Sequence, residues 1–463
     1  MKDRNYIKGF LPYGAAALLV GFVGGFTAVL GPAFVQDLGL PYNNTTWTAL
    51  ATAMSSAACA PILGKLADVM GRRRTLLMGL LVYTLGNAMN ALADSLVFML
   101  AARFLVGIGT AAIAPVVIAY IVTEFPQEKM AKGFSLYMLL SSGAVVIGPT
   151  AGSWIIATWG WRAMMWLCTA VSAGTLVYCV ATKEPERRRN ADLTGFDFGG
   201  AVLVVLFFSL LLCVPSFGQN IGWNSQVFRL VLLGTLLSLL GLVLNQRRSR
   251  NPILPVSFMK RRAFVLSVLA LFLTQGLMQA NMTNTIIFVN YTQPDNTMIS
   301  GFAISVMYIG MALGSVILGP LADRLAPKNV LTVSLLLTGL GCGVMLLFAV
   351  ETSALLLMLS LGMLGFGLGG NGTIFMKVVL SGLPREAAGT GTGTYGLFRD
   401  LAAPFGVAVL IPMFTNGIAA AIGRGQTPAT AAVETVHRLA VVEILCVAAG
   451  ITAVRLLPGD ARK

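Results

Sequence analysis

Acidic and basic residues with helical spacing stand at the end of the second apolar run of the chain. Asp68 and Arg72 are four residues apart, so their side chains share a face and can pair if the helix continues past Gly71. Glycine at position 71 equally permits a tight reversal of the chain. Ion pairs at a helix end can hold one conformation of a protein and open in another. The segment predicts such a conformational latch, formed by Gly64, Asp68, Gly71, Arg72, Arg73 and Arg74.

Other ionisable residues lie inside or at the ends of apolar runs, where a charge is costly unless it has a function or a partner. Arg103 lies in the fourth run and Glu124 ends it, while Arg399 and Asp400 are neighbours in the thirteenth. These four residues are candidates for a proton path, and Asp400 is the candidate proton-binding carboxylate. Structural ion pairing is the alternative for each. Glu443, in the last run, is interpreted as peripheral to this path.

Uncharged amide side chains are concentrated in the ninth apolar run, with a few more in the third and twelfth. Gln275 and Gln279 share one helical face, as do Asn281 and Asn284. Amides predict a wet cavity that recognises hydroxyl or carbonyl groups; hydrogen bonding between helices is the alternative. The cavity candidates are Asn87, Asn90, Gln275, Gln279, Asn281, Asn284 and Asn371.

The chain that must position these residues is too apolar for a soluble protein. Of its 463 residues, 56% are hydrophobic and 11% are charged, whereas globular proteins carry about 25% charged residues. Its apolar runs predict an all-α integral membrane protein with about 14 transmembrane helices of roughly 20 residues each. A soluble enzyme is excluded, and without a phosphate-binding loop of the G-x-x-x-x-G-K-[ST] type an ATP-driven pump is disfavoured.

The basic residues orient these helices. When loops are assigned alternately to the two sides, most of the 32 Lys and Arg residues share the side of the N-terminus. The other side receives Arg162, Arg229, Arg424 and Arg438. This bias predicts that both termini are cytoplasmic, and it explains the net charge of +14 without a nucleic-acid partner.

A repeated segment predicts the domain organisation. Residues 64–68 after the second run are echoed by residues 319–323 after the tenth, and internal repeats are common in secondary transporters. Two related six-helix halves with an inserted pair (6+2+6) fit this spacing. The predicted domains are an N-terminal bundle (1–185), a two-helix insertion with linkers (186–260) and a C-terminal bundle (261–463).

The six cysteines lie in apolar runs without C-x-x-C spacing, so neither a disulfide framework nor a metal site is indicated. No cofactor is expected.

Three segments resemble motifs of the major facilitator superfamily. Residues 64–74 resemble its signature between the second and third helices, and residues 103–109 its motif implicated in proton transfer. Residues 143–152 resemble its glycine-rich antiporter motif, in which glycines and a proline bend a helix and admit a close neighbour. The corresponding residues are Gly143, Gly148, Pro149 and Gly152.

The resemblance covers essentially the whole chain, and the extra helix pair places it beside the fourteen-helix drug/proton antiporters. It implies the major facilitator fold and secondary transport by alternating access, without enzyme activity. It also implies a monomer that spans the inner (cytoplasmic) membrane many times.

The substrate is predicted from one difference between this chain and the drug antiporters, and from a resemblance to a smaller group within the superfamily. Drug antiporters of that branch usually carry an acid about nine residues before Pro32, where this chain has Val23. Residues 5–12, 295–301 and 394–404 resemble bile-acid transporters of gut anaerobes, which implies proton-coupled uptake. The prediction is proton symport of an amphipathic organic acid, namely a bile acid. The alternative, favoured by residues 143–152, is a multidrug/proton antiporter that exports lipophilic compounds.

Overall fold

The computed structural model describes residues 5–40, 44–125, 130–182, 197–248, 261–296, 298–381 and 388–457. The first seven helices are α1 (Asn5–Asp37), α2 (Asn44–Met70), α3 (Arg72–Ala91), α4 (Leu96–Glu124), α5 (Met130–Ala181), α6 (Phe198–Ile221) and α7 (Gln226–Arg248). The next seven are α8 (Arg262–Thr292), α9 (Met298–Arg324), α10 (Pro327–Val344), α11 (Ala354–Gly369), α12 (Asn371–Ser381), α13 (Ala388–Gly423) and α14 (Pro428–Arg455). The predicted all-α membrane fold is confirmed.

Most of these helices can cross a bilayer. Within the described residues, eleven helical stretches are long and apolar enough to do so. One of them, Leu139–Ala181, runs through most of α5 and covers the predicted fifth and sixth spans together. The helices α2 and α3, which flank the charged segment 64–74, are not among the eleven.

A single glycine divides α5 into two arms. Gly160 has φ 81° and ψ 165°, while the residues on both sides of it are helical. This combination of angles is open essentially to glycine alone, because a side chain would clash with the backbone. The predicted fifth and sixth spans are therefore separated by one residue rather than by a loop.

Replacement of Gly160 by alanine is expected to lower the free energy of unfolding by about 1–3 kcal/mol, because alanine strains this conformation. Gly174→Ala, in the second arm of the same helix, is the matched control, since a Cβ there would meet nothing within 4 Å. The measurement is the thermal unfolding midpoint of each purified variant. Equal midpoints for the two variants would contradict the role given to Gly160.

The helices pack in two compact units that repeat one pattern. The first unit contains α1–α5 and the second contains α8–α14, while the residues of α6 and α7 are divided between the units. In the first unit α1 packs on α5, and α4 on both α2 and α3. In the second unit α8 packs on α13, and α11 on both α9 and α10. The domain ranges given above stay a prediction.

Glycine pairs bring the paired helices into backbone contact in each unit. A Cβ on Gly25 of α1 would lie 2.8 Å from the Cα of Gly148 on α5. A Cβ on Gly276 of α8 would lie 2.5 Å from the Cα of Gly406 on α13. No side chain fits at such distances, and small residues at helix contacts let membrane helices associate through van der Waals packing. The two contacts join equivalent helices of the two repeats.

An ion-pair cluster joins loop ends of the first unit on the predicted outer side. Arg162, just after the α5 break, lies 2.8 Å from Asp37 at the end of α1 and 3.1 Å from Asp94 between α3 and α4. Its guanidinium also stacks 4.4 Å from the ring centre of Trp161, whose indole N–H donates to Asp37 at 3.1 Å. The cluster fixes the second arm of α5 against α1 and the α3–α4 turn.

Arg162→Gln is expected to destabilise the first unit only modestly, by about 1 kcal/mol, because exposed ion pairs contribute about 0.2–1 kcal/mol each. The partners are exposed, with 42% of the Arg162 side chain and 87% of the Asp94 side chain accessible. The thermal midpoint should differ from the parent at low salt and approach it at high salt, since salt screens such pairs. Arg229→Gln, a second arginine of the predicted outer side, serves as control. A salt-independent difference would assign the effect to packing instead.

Candidate functional site

The predicted latch segment contains a helix break. Helix α2 ends at Met70, Gly71 has φ 97°, and Arg72 begins α3. The condition under which Asp68 and Arg72 would share a helical face is not met, because the helix does not continue through Gly71, and the break falls at the glycine that permits one. Gly64 and Asp68 lie on α2, and the side chain of Asp68 is outside the described part.

The arginines after the break contact other helices of the first unit. Arg72 lies 3.6 Å from Glu124, the last residue of α4. Arg73 donates to the carbonyl oxygens of Cys179 and Val180, at 3.2 and 3.1 Å, in the last turn of α5. A cation there stabilises the negative end of the helix dipole. The first residues of α3 thus connect the ends of α4 and α5, while Arg74 is exposed.

Two glycines of the segment 103–109 hold α4 tightly between its neighbours. A Cβ on Gly107 would lie 2.3 Å from the carbonyl oxygen of Thr52 on α2, and one on Gly109 would lie 2.7 Å from the Cα of Tyr83 on α3. Thr52 also donates its hydroxyl to the carbonyl oxygen of Arg103 at 3.3 Å. The backbone that carries Arg103 is therefore fixed from two sides.

Arg103 is a buried cation in the first unit. It is only 4% exposed, and its Nε has no hydrogen-bond partner within the described structure. Tyr83 on α3 and Cys168 on α5 lie close enough to interact with it electrostatically, and no described acidic side chain forms an ion pair with it. A cation held at this cost inside a membrane protein is expected to have a function.

The two asparagines of α3 are also buried. Asn87 donates to the carbonyl oxygen of Tyr83, one turn earlier, at 2.9 Å. Asn90 is fully buried, and neither polar atom of its amide has a hydrogen-bond partner in the part of the chain that the structure describes.

The glycine-rich segment of α5 makes the closest contacts with α1. The chain is helical through Gly148 and Pro149, and the non-helical residue of α5 is Gly160. Gly148 faces Gly25, and a Cβ on Gly152 would lie 2.8 Å from the Phe26 ring. Gly143 is exposed.

A buried carboxyl group lies in the second unit. Glu443 on α14 is 0% exposed, and its two oxygens lie 3.0 and 3.1 Å from Nδ2 of Asn281 on α8. The thiol of Cys342 on α10 lies close enough to Glu443 to interact with it electrostatically. Within the described chain no basic side chain forms an ion pair with Glu443.

The three helices that meet at Glu443, namely α8, α10 and α14, also meet at a second layer of contacts. Gly450 lies two turns further along α14. A Cβ there would lie 3.0 Å from the methyl group of Thr274 on α8 and 3.7 Å from a methyl group of Leu335 on α10. Thr274 precedes Asn281 by seven residues on α8, and Leu335 precedes Cys342 by seven residues on α10. Two layers of contacts, one polar and one apolar, therefore fix α14 antiparallel to both partners.

The other predicted cavity and proton-path residues are distributed over several helices of the second unit. Asn284 is buried, without a hydrogen-bond partner for its amide in the described structure, whereas Gln275 and Gln279 are half-buried on α8. Asn371 begins α12, and its Oδ1 bonds the hydroxyl of Ser334 on α10.

On α13, Arg399 is exposed, and the side chain of Asp400 lies outside the described part. The proton-path role of both residues stays a prediction.

The interpretation of Glu443 as peripheral overlooked its burial and its hydrogen bonds. The sequence carried one signal, an acid flanked by Val441, Val442, Ile444 and Leu445. Its partners could not be recognised, because Asn281 and Cys342 belong to helices that are distant in the chain. The described residues contain no group of three His, Cys, Asp or Glu that could hold a metal ion.

Two units that repeat one helix pattern are common in secondary transporters, and comparison with known proteins identifies the family. The Major Facilitator Superfamily matches the chain over residues 13–407. "Multidrug transporter protein MdtP" of Bacillus subtilis (strain 168) is 26% identical over 82% of this chain and 70% of the relative. "Puromycin resistance protein pur8" of Streptomyces alboniger is 27% identical over 91% of this chain and 85% of the relative. Among solved structures, the nucleoside transporter NupG has a TM-score of 0.69 at 12% identity, covering 96% of this chain and 99% of that one.

The chain belongs to the Major Facilitator Superfamily. It is a multi-pass integral membrane transporter of small substrates and not an enzyme.

Proposed function

We propose that this protein exports lipophilic compounds in exchange for protons. The observation that carries the proposal is the similarity, over 82% and 91% of the chain, to relatives named for multidrug transport and puromycin resistance. The relatives thus favour the export alternative over the bile-acid prediction.

The composition of the chain supports a broad specificity. Its 21 Met and 25 Phe residues supply polarisable and aromatic surface, and methionine adapts to ligands of different shape. Half-buried amides, such as Gln275 and Gln279 on α8, add hydrogen-bonding groups without a fixed charge. We assign substrate contact to these two amides, because Asn87, Asn90, Asn281, Asn284 and Asn371, the other predicted cavity residues, are buried within their own units.

A second candidate is uptake of an amphipathic organic acid, such as a bile acid, by proton symport. Two observations in the first unit favour it. Val23, at the position where the antiporter branch usually has an acid, is buried in the apolar core, and Arg103 is a buried cation of the same unit. A buried cation complements an anionic substrate, whereas a lipophilic cation needs a buried acid.

In both candidates the segment 64–74 acts as the cytoplasmic latch. We propose that Asp68, Arg72 and Glu124 close this side in one conformation, and that Arg73 fixes the end of α5 while they do so. Asp400 and Arg399 remain candidates for the proton path. The protein works as a monomer in the cytoplasmic membrane, with both termini in the cytoplasm.

The test uses proteoliposomes that contain the purified protein and an imposed pH gradient. Acidification of the lumen should drive accumulation of a lipophilic cationic dye such as ethidium, and a protonophore should abolish it. Protein-free liposomes give the background. In parallel, labelled cholate is offered outside the same vesicles with the outside acidic.

The two arms discriminate the candidates. Dye accumulation without cholate uptake supports export by proton antiport. Gradient-dependent cholate uptake without dye movement overturns it and establishes the symport candidate.

A further inference from the structure

We propose that Glu443 is a proton-binding group of the transport cycle and that Asn281 is its positioning residue. The inference deepens the proposed function and rests on it only for the identity of the substrate. It departs from the expectation that Glu443 is peripheral.

The first step of the argument is the burial of the carboxyl group. Glu443 is 0% exposed and lies mid-way along α14, with no basic side chain paired to it among the residues that the structure describes. An isolated carboxylate in such a place is strongly disfavoured, because neither water nor a cation compensates the charge. The carboxyl group therefore takes up a proton whenever the surrounding helices are packed as they are here.

The second step is the chemistry of the groups that face it. From α8, Nδ2 of Asn281 approaches both carboxyl oxygens, at 3.0 and 3.1 Å. The Cys342 thiol of α10 lies near enough to interact with it electrostatically, and Cys446 is the titratable neighbour on α14 itself. An amide both donates and accepts hydrogen bonds. Asn281 can therefore donate N–H to the carboxylate or, after rotation of its amide, accept the O–H of the acid.

The third step is the coupling of charge to helix packing. The polar layer of Asn281, Cys342 and Glu443 stands two turns from the apolar layer of Thr274, Leu335 and Gly450. Loss of the proton leaves a carboxylate in a dry three-helix contact, which favours movements of α14 that admit water to Glu443. Proton uptake from water on one side restores the contact. Proton release to the other side completes one transfer, with no other bond formed or broken.

The experiment that needs no substrate is infrared difference spectroscopy of the purified full-length protein in lipid, between acidic and alkaline pH. The C=O stretching band of a protonated carboxyl in an apolar environment is expected in the parent and absent from Glu443→Gln. Glu434→Gln is the matched control, because Glu434 lies on the same helix and pairs with Arg424 at 3.0 Å on the exposed surface. The same band in the parent and in Glu443→Gln would overturn the proposal.

A second variant keeps the test valid if Glu443→Gln fails to fold. Glu443→Asp retains a carboxyl but shortens the side chain, so that it no longer reaches Asn281, and its band is expected at a different frequency. An unchanged band in Glu443→Asp would show that the signal arises elsewhere, which also overturns the proposal.

The transport measurement separates proton binding from substrate binding. Glu443→Gln should lose dye accumulation driven by a pH gradient at least tenfold, but retain exchange of labelled for unlabelled dye without a gradient. Glu434→Gln should retain both activities. Loss of both by a Glu443→Gln protein with the parental thermal midpoint would make Glu443 a substrate-binding group and overturn the proposal. If the parent moves no dye but shows the infrared signal, the proton site stands and the proposed function fails.

Discussion

Replacement of Gly406 by alanine is expected to destabilise the protein by about 2 kcal/mol, within the range of 1–3 kcal/mol for an overpacked contact. The added methyl group would lie 2.2 Å from the Cα of Gly276 and 2.6 Å from its carbonyl carbon. These are backbone atoms that cannot rotate aside, so α8 and α13 must separate. Because α8 also carries Asn281, the displacement should weaken the contact with Glu443.

The measurement for Gly406→Ala is its thermal unfolding midpoint in detergent, together with the yield of monodisperse protein. Gly423→Ala is the control on the same helix, since a Cβ there meets nothing within 4 Å. Alanine has the higher helix propensity, by about 1 kcal/mol, so this control should be neutral or stabilising. Equal unfolding temperatures for the two variants would show that the Gly276–Gly406 contact can accept a methyl group, which contradicts the prediction.

Arg103→Met is expected to lower transport without lowering stability. Arg103 is buried without an acidic ion-pair partner in the described structure and with an unpaired Nε. A buried charge without a partner is costly, so its replacement by an apolar side chain of similar volume is expected to be neutral or stabilising. The thermal midpoint should therefore stay equal or rise. Transport should fall about tenfold or more, equivalent to ~1.4 kcal/mol, because the charge is retained for function.

Arg229→Met is the control for Arg103→Met, because Arg229 is exposed and its guanidinium contacts the carbonyl oxygen of Asn224 in the preceding loop. It should alter neither quantity appreciably. Arg103→Lys tests the need for a cation and should recover part of the transport. A marked fall in the midpoint of Arg103→Met would assign Arg103 a structural role, and unchanged transport would remove it from the pathway.

The fold could be predicted from sequence because a bilayer leaves few alternatives. Apolar runs of sufficient length must be helical where backbone groups cannot reach water. Arg103, Gln275 and Glu443, which were placed in the fourth, ninth and last apolar runs, each lie within a helix. The boundary between the fifth and sixth spans is different. Arg162 indicated a loop there, but the separation depends on the backbone angles of Gly160, which no hydropathy pattern reveals.

The candidate site was less accessible to prediction, because it depends on which helix faces meet. The burial of Arg103 followed from its place in an apolar run. Its role in a proton path and its alternative role in a structural ion pair both stay predictions. The pairing of Asp68 with Arg72 assumed a continuous helix, and the positive φ of Gly71 removes that assumption. Glu443 and Asn281 were both visible as polar residues, but their hydrogen bond spans 162 positions of the chain and follows only from the α8–α14 register.

That hydrogen bond also has a consequence for biogenesis. The ribosome makes α8 long before α14, so the amide of Asn281 enters the bilayer without its acid. When α14 follows, its own carboxyl group opposes partitioning into lipid. The helix should therefore leave the translocon against the surface already formed by α8 and α10, and not independently. Insertion of the final described helix thus requires that its two partners be assembled first, which gives nascent chains a built-in order of assembly.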